Sequence, residues 1–375
     1  MKIAMIGQKG MPAIFGGVET HVHELSVRLV KRGHEVVVYN RPWYSGKIHK
    51  NIYGVKIKTL PSLHTKNFDT ISHTLLCTLN AMVNKFDVIH YHGIGPAILS
   101  WVPKLLCPKT KVIVTFHSID RNQQKWSWFA KMWLKIGEWM ACHIPHQTIV
   151  VSKSLKQYVT ENYKKETDYI PNGVPEYEAE KKSNLIDGWN IESKKYMVAV
   201  ARLIPLKSIH TLIESFQEIK RDNPNILDNK KLVIVGDGAN TDEYVQRLKQ
   251  MAKGDSDIIF TGFQSGDTLH QLYSHASMLV HPSTSEGLPI TVLEAMAYGL
   301  PTLVSNIPGH KEIITDSEYI FEVGNKQSLV EKLTNILQKN DEELEQTGSK
   351  NRDIVIEHYN WKDVVDNTAK LYQDN

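Results

Sequence analysis

The fold is indicated most clearly by one stretch, Ser285-Glu286-Gly287-Leu288-Pro289-Ile290-Thr291-Val292-Leu293-Glu294-Ala295-Met296-Ala297-Tyr298-Gly299. A strand-like run, Met278-Leu-Val-His281, comes shortly before it. Pro289 suits the start of a helix, and Gly299 is typical of the residue just past a helix end. The sequence therefore predicts a strand, a loop and a helix in that order.

Two glutamates mark this loop and helix. We expect Glu286 at the helix N-terminus and Glu294 about two turns further along, on the order of 10 Å away. The free amides of the first helical turn suit an anion. Two glutamates on a helix are by themselves usually just solvated, so the functional interpretation depends on the flanking Gly-Leu-Pro and the preceding strand.

This arrangement resembles the Glu-x7-Glu signature of retaining glycosyltransferases of the two-Rossmann-domain (GT-B) type, family four. In that family the first glutamate contacts the donor sugar, the second holds the ribose of the nucleotide, and the loop amides hold the diphosphate and sugar. The resemblance implies these roles for Glu286 and Glu294 in this sequence. The loop residues concerned are Gly287, Leu288, Pro289 and Ile290.

Length and composition limit the class of protein. With 375 residues, of which 41% are hydrophobic and 23% charged, the chain can form two hydrophobic cores. A formal charge of +3, without a basic run interleaved with aromatics, disfavours nucleic-acid binding. Cys77, Cys107 and Cys142 are widely spaced and match neither a disulfide framework nor a zinc motif. We expect a cytoplasmic protein without a signal peptide or membrane span.

Short apolar runs alternate with amphipathic stretches, which is typical of parallel strands joined by crossover helices. In the first half, strands are predicted near residues 3–6, 36–39, 55–59, 88–91, 112–116 and 148–151. In the second half, they are predicted near residues 197–201, 232–235, 258–261, 278–280 and 302–304. Two doubly wound sheets account for both series.

These series predict two domains. They are residues 1–174 and residues 196–359, joined by the polar residues 175–195 as a linker. The family resemblance implies that the first is the acceptor-side domain and the second the nucleotide-sugar donor domain. Residues 360–375 form an amphipathic tail, which in the resembled family returns to the first domain. The expected fold class is α/β, with two Rossmann-like, doubly wound domains facing each other across a cleft (GT-B).

The first predicted strand leads into Gly7-Gln-Lys-Gly-Met-Pro-Ala-Ile-Phe-Gly-Gly-Val-Glu-Thr20, which lacks the dinucleotide motif G-x-G-x-x-G. Gly16 and Gly17 open a helix, where a ligand can approach backbone amides and negative charge is favoured. The same glycines also suit a turn that needs positive φ. The string resembles the donor-phosphate loop of family four, in the branch that builds bacterial surface polysaccharides, which favours the functional interpretation.

The first predicted strand of the second domain is followed by Arg202-Leu-Ile-Pro-Leu-Lys207. It resembles the Arg-Leu-x-x-x-Lys motif of the family, whose two cations hold the diphosphate of the nucleotide sugar. Fixed cations in a dry site stabilise the charge of a departing diphosphate. Either cation alone is also common on a protein surface. Ser208 stands where the family usually has glycine, which could alter the turn.

Three weaker candidates lie at other strand ends. Gly236 and Phe263 resemble family positions near the nucleotide base, although both also fit ordinary strand-end turns. His117 resembles a family histidine that touches the transferred sugar, whereas a lone histidine at a strand end is more often simply exposed or hydrogen-bonded.

Histidines close together in the sequence do not form convincing metal pairs. His21 and His23 are two apart on a helix and do not face each other, and His90 and His92 alternate at a strand end. We therefore expect no protein-held metal and no cofactor, since the nucleotide sugar is a substrate.

Residues 125–140 form a Trp-rich amphipathic patch. Trp126, Phe129, Trp133, Ile136 and Met140 recur at helical spacing, and the charged residues displaced from them are Lys125, Lys135 and Glu138. Such a helix could lie on an anionic membrane surface and bring the protein to a lipid-linked acceptor. A helix that covers the sheet of the first domain explains the same stripe.

Together, the motifs predict a retaining glycosyltransferase that moves a hexosyl group from a nucleotide diphosphate sugar to a hydroxyl of a glycan or lipid-linked acceptor in cell-surface polysaccharide synthesis. The residues assigned to catalysis are His117, Arg202, Lys207 and Glu286. The protein is expected in the cytoplasm or on the inner face of the plasma membrane. Two alternatives are a nucleotide-sugar epimerase of the same architecture and a non-catalytic nucleotide-sugar-binding protein.

Overall fold

A computed structural model describes residues 1–44, 49–65, 68–119, 121, 128–177, 184–238 and 241–374. The chain divides into two compact units. The first comprises Met1–Gly173 together with Trp361–Asn375, and the second comprises Val174–Asn360.

The first unit contains an eight-stranded sheet in the order β3-β4-β2-β1-β5-β6-β7-β8. Its neighbouring strands are parallel, except that β3 pairs antiparallel with β4. The strands are β1 (Lys2–Ile6), β2 (Glu35–Asn40), β3 (Asn51–Ile52), β4 (Val55–Thr59), β5 (Val88–His92), β6 (Lys111–Phe116), β7 (Gln147–Val150) and β8 (Asp168–Tyr169). The helices are α1 (Gly17–Lys31), α2 (Asp69–Val83), α3 (Ile94–Ala97), α4 (Trp101–Leu106), α5 (Trp128–His143) and α6 (Lys153–Tyr163).

The second unit contains a six-stranded parallel sheet in the order β11-β10-β9-β12-β13-β14. The strands are β9 (Tyr196–Val200), β10 (Lys231–Val235), β11 (Ile258–Gly262), β12 (Met278–His281), β13 (Thr302–Ser305) and β14 (Ile320–Phe321). The helices are α7 (Ile209–Asp222), α8 (Pro224–Leu227), α9 (Asp242–Met251), α10 (Gly266–Ser274), α11 (Ile290–Ala297), α12 (Pro308–Lys311), α13 (Lys326–Leu337) and α14 (Asp341–His358).

The last helix, α15 (Trp361–Gln373), packs within the first unit against α1. Val364 and Val365 belong to the same buried cluster as strand residues of the first sheet. The hydroxyl of Tyr372 lies 2.7 Å from Nδ1 of His90 on β5. An apolar helix face and one buried hydrogen bond therefore join the end of the chain to the first sheet.

Hydrophobic patterning located the main strands of both sheets. The central residues of these strands are buried, which explains why the strands appear in the sequence as continuous apolar runs. The sequence did not reveal β3, β8 and β14, which have two residues each. A two-residue strand is too short to show a period of its own.

The predicted linker, residues 175–195, differs from the structure in its described part. Residues 184–195 belong to the second unit and include a 3-10 helix, Asn184–Trp189. Ile186 and Ile191 are buried, and the amide of Lys194 donates to the carbonyl of His275 at 2.7 Å. Two isolated isoleucines anchor this segment, although its polar composition suggested a free connection.

The order of each sheet reverses at one point, which is where ligands of open α/β sheets bind, beyond the carboxyl ends of the strands. In the first sheet the reversal lies between β1 and β5, and in the second between β9 and β12. The segments that follow β1, β9 and β12 contain, in that order, the predicted Gly16 and Gly17, Lys207, and Glu286.

Candidate functional site

The second unit carries an ion pair between Nζ of Lys207 and Oε1 of Glu286. Lys207 ends the turn after β9, and Glu286 lies in the loop after β12. The two side chains are only 14% and 13% exposed. The amide of Thr284 also donates to the carbonyl of Leu206 at 2.9 Å, so backbone and side chains both join the two loops.

Two neutral groups support the same carboxylate oxygen. The hydroxyl of Ser283 donates to Oε1 of Glu286 at 2.6 Å, and Nε2 of His281 lies 3.1 Å from it. Burial alone would raise the pKa of Glu286, but Lys207 and His281 hold it well below its usual range. Within the described part of the chain these contacts all fall on Oε1, so Oε2 is left to accept a hydrogen bond from a ligand hydroxyl.

A second layer of contacts fixes the loop that carries Glu286. The hydroxyl of Ser305, at the end of β13, contacts the carbonyl of Ser283, and Nδ1 of His310 donates to the carbonyl of Ser305 at 2.9 Å. Gly309 packs closely on Gly287, since a Cβ added to Gly309 would lie 2.5 Å from the carbonyl oxygen of Gly287. The carboxylate is therefore held in place before any ligand binds.

The start of α11 differs from the prediction. The helix begins at Ile290, and Pro289 is its N-cap with extended backbone rather than its first helical residue. Glu286 thus lies in the loop before the helix and not at its N-terminus. The predicted donor-binding residues Gly287, Leu288, Pro289 and Ile290 are all buried. A contact from their backbone amides to a donor stays a prediction.

Glu294 lies on α11 among aromatic side chains. The hydroxyl of Tyr273 donates to Oε2 of Glu294 at 3.2 Å. Tyr298 stacks on Tyr273 and on Tyr177, with ring centroids 5.4 and 4.4 Å apart. No local pattern indicates this stack, because its members come from three separate segments.

Arg202 and Ser208 flank the turn that carries Lys207. The side chain of Arg202 is half-buried and makes no hydrogen bond or ion pair with the residues that the structure describes. Ser208 has φ 48°, in the left-handed region that glycine adopts most readily. The serine therefore adopts a backbone conformation that glycine favours.

Gly236 and Phe263 follow β10 and β11. Gly236 has φ 138°, and a Cβ there would collide with the carbonyl oxygen of Ala201. The close approach of two strand-end loops is thus sufficient reason for this glycine. Phe263 is 40% exposed. Their predicted place near a nucleotide base stays a prediction.

In the first unit, buried side chains fix the loop that ends at Gly16. Gly16 is the N-cap of α1 with φ 106°, and a Cβ there would collide with the carboxylate of Glu19. Glu19 also accepts from the amide of Lys9 at 3.1 Å, and the hydroxyl of Tyr44 accepts from the amide of Ile14 at 2.8 Å. Gly16 is therefore needed for both its backbone angle and its space. The carboxylate of Glu19 adds negative charge at a helix end that was predicted to attract an anion.

His117 is a member of a buried cluster rather than a lone side chain. Its Nε2 lies 3.2 Å from Nδ1 of His92, and its ring centroid lies 5.1 Å from that of His21 on α1. Burial holds the pKa of His92 and His117 well below the usual value and lowers that of His21 to about 4. These imidazoles are therefore neutral near pH 7. The sequence missed the cluster because its members lie on three elements far apart along the chain.

The Trp-rich helix α5 presents its aromatic residues outward. Trp133 is 55% exposed and Ile136 44%, whereas Gly137 and Ala141 are buried against the rest of the unit. The explanation in which the stripe covers the sheet is therefore wrong for Trp133 and Ile136. Trp126 and the side chain of Phe129 lie outside the part of the chain that the structure describes.

Two nearby helices, α2 and α4, also expose large apolar side chains. Helix α3 contacts both α2 and α5, and α4 contacts α2. We call these exposed side chains, together with those of α5, the outer apolar surface. It consists of Ile71, Leu75, Leu76, Leu79 and Val83 on α2, Trp101, Leu105 and Leu106 on α4, and Trp128, Met132, Trp133, Ile136 and Trp139 on α5. The exposed charges on the described parts of these helices are those of lysines, Lys131 and Lys135 among them. The carboxylate of Glu138 is fully buried and paired with Arg121.

The buried histidines predict acid sensitivity. Burial lowers the pKa of His73 to about 4 and that of His310 to about 3, whereas an unfolded histidine titrates near 6.5. Below about pH 6.5 the unfolded chain therefore binds protons that the folded protein does not. As the pH falls below this value, each such histidine should lower the free energy of unfolding by about 1.4 kcal/mol per pH unit. Urea unfolding at about pH 7.5 and about pH 5.5 tests this. An unchanged midpoint would contradict it, and His358→Gln, at an exposed site, should leave the pH dependence unaltered.

Comparison with known proteins agrees with this fold. Residues 181–374 match the family model described as glycosyl transferases group 1, and residues 15–176 match that of glycosyltransferase family 4. The chain belongs to the glycosyl transferases group 1 family, and it is a glycosyltransferase of the GT-B, family-four type. The predicted resemblance to GT-B glycosyltransferases of family four is confirmed.

Several relatives span most of the chain. An uncharacterized glycosyltransferase of Methanocaldococcus jannaschii is 32% identical over 84% of this chain and 83% of its own length. The alpha-monoglucosyldiacylglycerol synthase of Acholeplasma laidlawii is 25% identical over 100% of this chain and 97% of its own length.

Solved structures show the same fold. Sucrose-phosphate synthase from Thermosynechococcus elongatus matches with a TM-score of 0.83 at 20% identity, covering 99% of this chain and 98% of its own. Anabaena HepE in complex with UDP-glucose matches with a TM-score of 0.79 at 16% identity, covering 99% of both chains. The two Rossmann-like domains predicted from the sequence are confirmed. Among the described residues, no helix combines the length and apolar character needed to cross a membrane.

Proposed function

We propose that the protein is a retaining glycosyltransferase that moves a hexosyl group from a nucleotide diphosphate sugar to a hydroxyl of a glycan or lipid-linked acceptor in cell-surface polysaccharide synthesis. The observation that carries this proposal is the preorganised Lys207 and Glu286 pair at the switch point of the second sheet. A cation there suits a diphosphate, and a carboxylate with one oxygen unengaged suits a sugar hydroxyl.

We propose that the diphosphate and the sugar of the donor bind to the side chains that line this site. The diphosphate accepts hydrogen bonds from Lys207 and from the half-buried guanidinium of Arg202, while Oε2 of Glu286 accepts from a sugar hydroxyl. Glu294 would hold the ribose, and Gly236 and Phe263 would lie near the base. In the first unit, Gly16, Gly17 and His117 would contact the phosphate and the transferred sugar. The match to a structure that holds UDP-glucose supports a nucleotide-sugar donor.

For the chemical step we propose front-face displacement. The bond from the sugar C1 to the phosphate oxygen breaks as the acceptor oxygen bonds to C1 on the same face, and the departing phosphate takes the acceptor proton. The carboxylate of Glu286 is bound by Lys207, Ser283 and His281, which suits it to hold the sugar rather than to attack it. Lys207 and Arg202 would stabilise the charge of the leaving diphosphate, so no metal or cofactor is assigned to transfer.

The acceptor side is proposed to involve a membrane. A relative that spans the chain is named for synthesis of a glucosyldiacylglycerol, which supports a lipid-linked acceptor. The outer apolar surface, with lysines as its exposed charges, matches the chemistry of an anionic bilayer. We propose that the protein works in the cytoplasm, peripherally bound to the inner face of the plasma membrane.

Incubation with candidate nucleotide sugars tests the activity. We expect release of nucleoside diphosphate that depends on an added acceptor. Interconversion of the sugar without transfer would indicate the epimerase, and binding without turnover would indicate the non-catalytic protein. Membership of a glycosyltransferase family favours neither alternative.

The two glutamates should differ in their effects. Glu294→Ala should mainly weaken nucleotide binding, because the ribose contact exists before and after transfer. Glu286→Ala should mainly lower kcat, because the sugar loses its positioning. Calorimetric titration with nucleoside diphosphate, combined with steady-state rates, separates the two. Equal diphosphate affinity of wild type and Glu294→Ala would refute the ribose role.

A further inference from the structure

The three clustered histidines have the ligand geometry of a metal site. The side chains of His21, His92 and His117 are buried, and one ring nitrogen of each lies within 4.8 Å of the others. They come from α1 and from the carboxyl ends of β5 and β6. Three imidazoles with room for one more ligand form a common zinc coordination set.

The distance between two of the three imidazoles fits one ion. Two nitrogens bound to a tetrahedral zinc ion at about 2.0–2.1 Å lie about 3.3 Å apart. Nδ1 of His92 and Nε2 of His117 lie 3.2 Å apart. Without an ion, one of these imidazoles donates to the other across the same distance, and an ion would bind the lone pairs of both.

The third histidine has an unused nitrogen. Nδ1 of His21 is buried and makes no hydrogen bond to the described residues, while the side chain of Asn172 acts on the same ring and raises the pKa of His21 against the larger lowering by burial. The neighbouring His90 differs, because its two nitrogens lie 2.7 Å from the hydroxyls of Tyr372 and Thr115. Both nitrogens of His90 thus have partners, whereas Nδ1 of His21 in the cluster has none. A buried polar group of this kind calls for an explanation, and a bound ligand is one.

We propose that His21, His92 and His117 form a binding site for one divalent transition-metal ion of the zinc class. Imidazole ligands suit Zn²⁺ and its neighbours in the series rather than Mg²⁺ or Ca²⁺, which prefer oxygen. His117 is the most exposed of the three at 8%, so the ion enters on its side. The assignment replaces the expectation of no protein-held metal, which considered only histidines close in the sequence.

The proposal does not rest on glycosyl transfer, but the two are connected through His117. If His117 touches the donor sugar, as proposed above, a bound ion occupies its nitrogen. Zn²⁺ should then raise the apparent KM for the donor, and a chelator should reverse the effect. The site is therefore inhibitory and takes no part in transfer.

Zinc binding to the full-length protein tests the site. After removal of metals by dialysis against a chelator, Zn²⁺ is titrated in competition with a chromophoric chelator. We expect one tight site per chain, weakened roughly 10-fold to 100-fold or more by His21→Ala and by His92→Ala. His358→Ala, at an exposed histidine of the second unit, should bind Zn²⁺ like wild type. Equal affinity of His21→Ala and wild type would overturn the proposal.

A second measurement needs no variant, in case His92→Ala fails to fold. X-ray absorption of wild type with one equivalent of Zn²⁺ should show three imidazole nitrogens around the ion. A shell with one imidazole or with oxygen alone would overturn the site. Zinc bound in this way without any change in donor KM would support the site and would count only against the sugar contact of His117.

Discussion

Arg202→Ala should lower kcat/KM for the nucleotide-sugar donor by about 100-fold to 1,000-fold, which corresponds to about 2.7–4 kcal/mol of transition-state stabilisation. The guanidinium has no partner among the described residues, so its loss removes a contact to the ligand and breaks no internal bond. Lys207→Ala should cause a loss at least as large. That change also leaves the buried carboxylate of Glu286 without its cation.

The comparison of the two variants separates diphosphate binding from support of the loop. Arg202→Ala should keep the thermal stability of wild type, whereas Lys207→Ala should lose some. Lys195→Ala serves as the control, because it removes an exposed ion pair with Asp228 in the same unit and should not change the rate. Wild-type rates in both Arg202→Ala and Lys207→Ala would refute the assignment of the diphosphate to this turn.

The fold was largely predictable because buried parallel strands are continuous apolar runs. The strands that carry the site, β9 and β12, could be located within one or two residues in this way. The motifs after them identified Lys207 and Glu286. The pairing between these two side chains could not be predicted, because it depends on β9 and β12 being neighbours in the sheet although 79 residues separate the paired groups.

Supporting residues were harder to find than motif residues. His281 ends β12 and was part of the quoted strand, so its position at the carboxyl end was a usable signal for a contact with Glu286. Ser283 lies in the loop that follows, and His310 comes from a different segment. Likewise, no local pattern connects His21 with His92 and His117. Such clusters follow from topology, which brings the ends of separate strands together.

The Trp-rich helix shows a different limit of sequence reasoning. Periodicity identifies an apolar face but not the direction in which it points. On α5 the inward face has small residues, Gly137 and Ala141, where a Cβ on Gly137 would lie 2.9 Å from the Ile94 carbonyl. The close packing of α5 on α3 needs small side chains, so the large aromatic ones are left outside.

Wild-type protein should float with anionic liposomes at low salt, and Trp133→Glu should abolish this. The outer apolar surface would bury its side chains among the acyl chains while Lys131 and Lys135 meet anionic headgroups, so binding should weaken as salt screens the charges. Because Trp133 is 55% exposed, a glutamate there stays in water, and the thermal stability of the free protein should hardly change.

Two further variants make the flotation test specific. Leu105→Glu changes α4, a different helix of the outer apolar surface, and should weaken flotation as well. Val323→Glu introduces the same charge at an exposed apolar residue of the second unit and should float like wild type.

If the outer apolar surface instead joins two copies of the chain, wild type will elute as a dimer that Trp133→Glu dissociates, and it will not float. Only binding to a bilayer makes flotation depend on anionic lipid, so failure of wild type to float at low salt would refute the membrane role. The transfer activity is judged separately, by donor turnover.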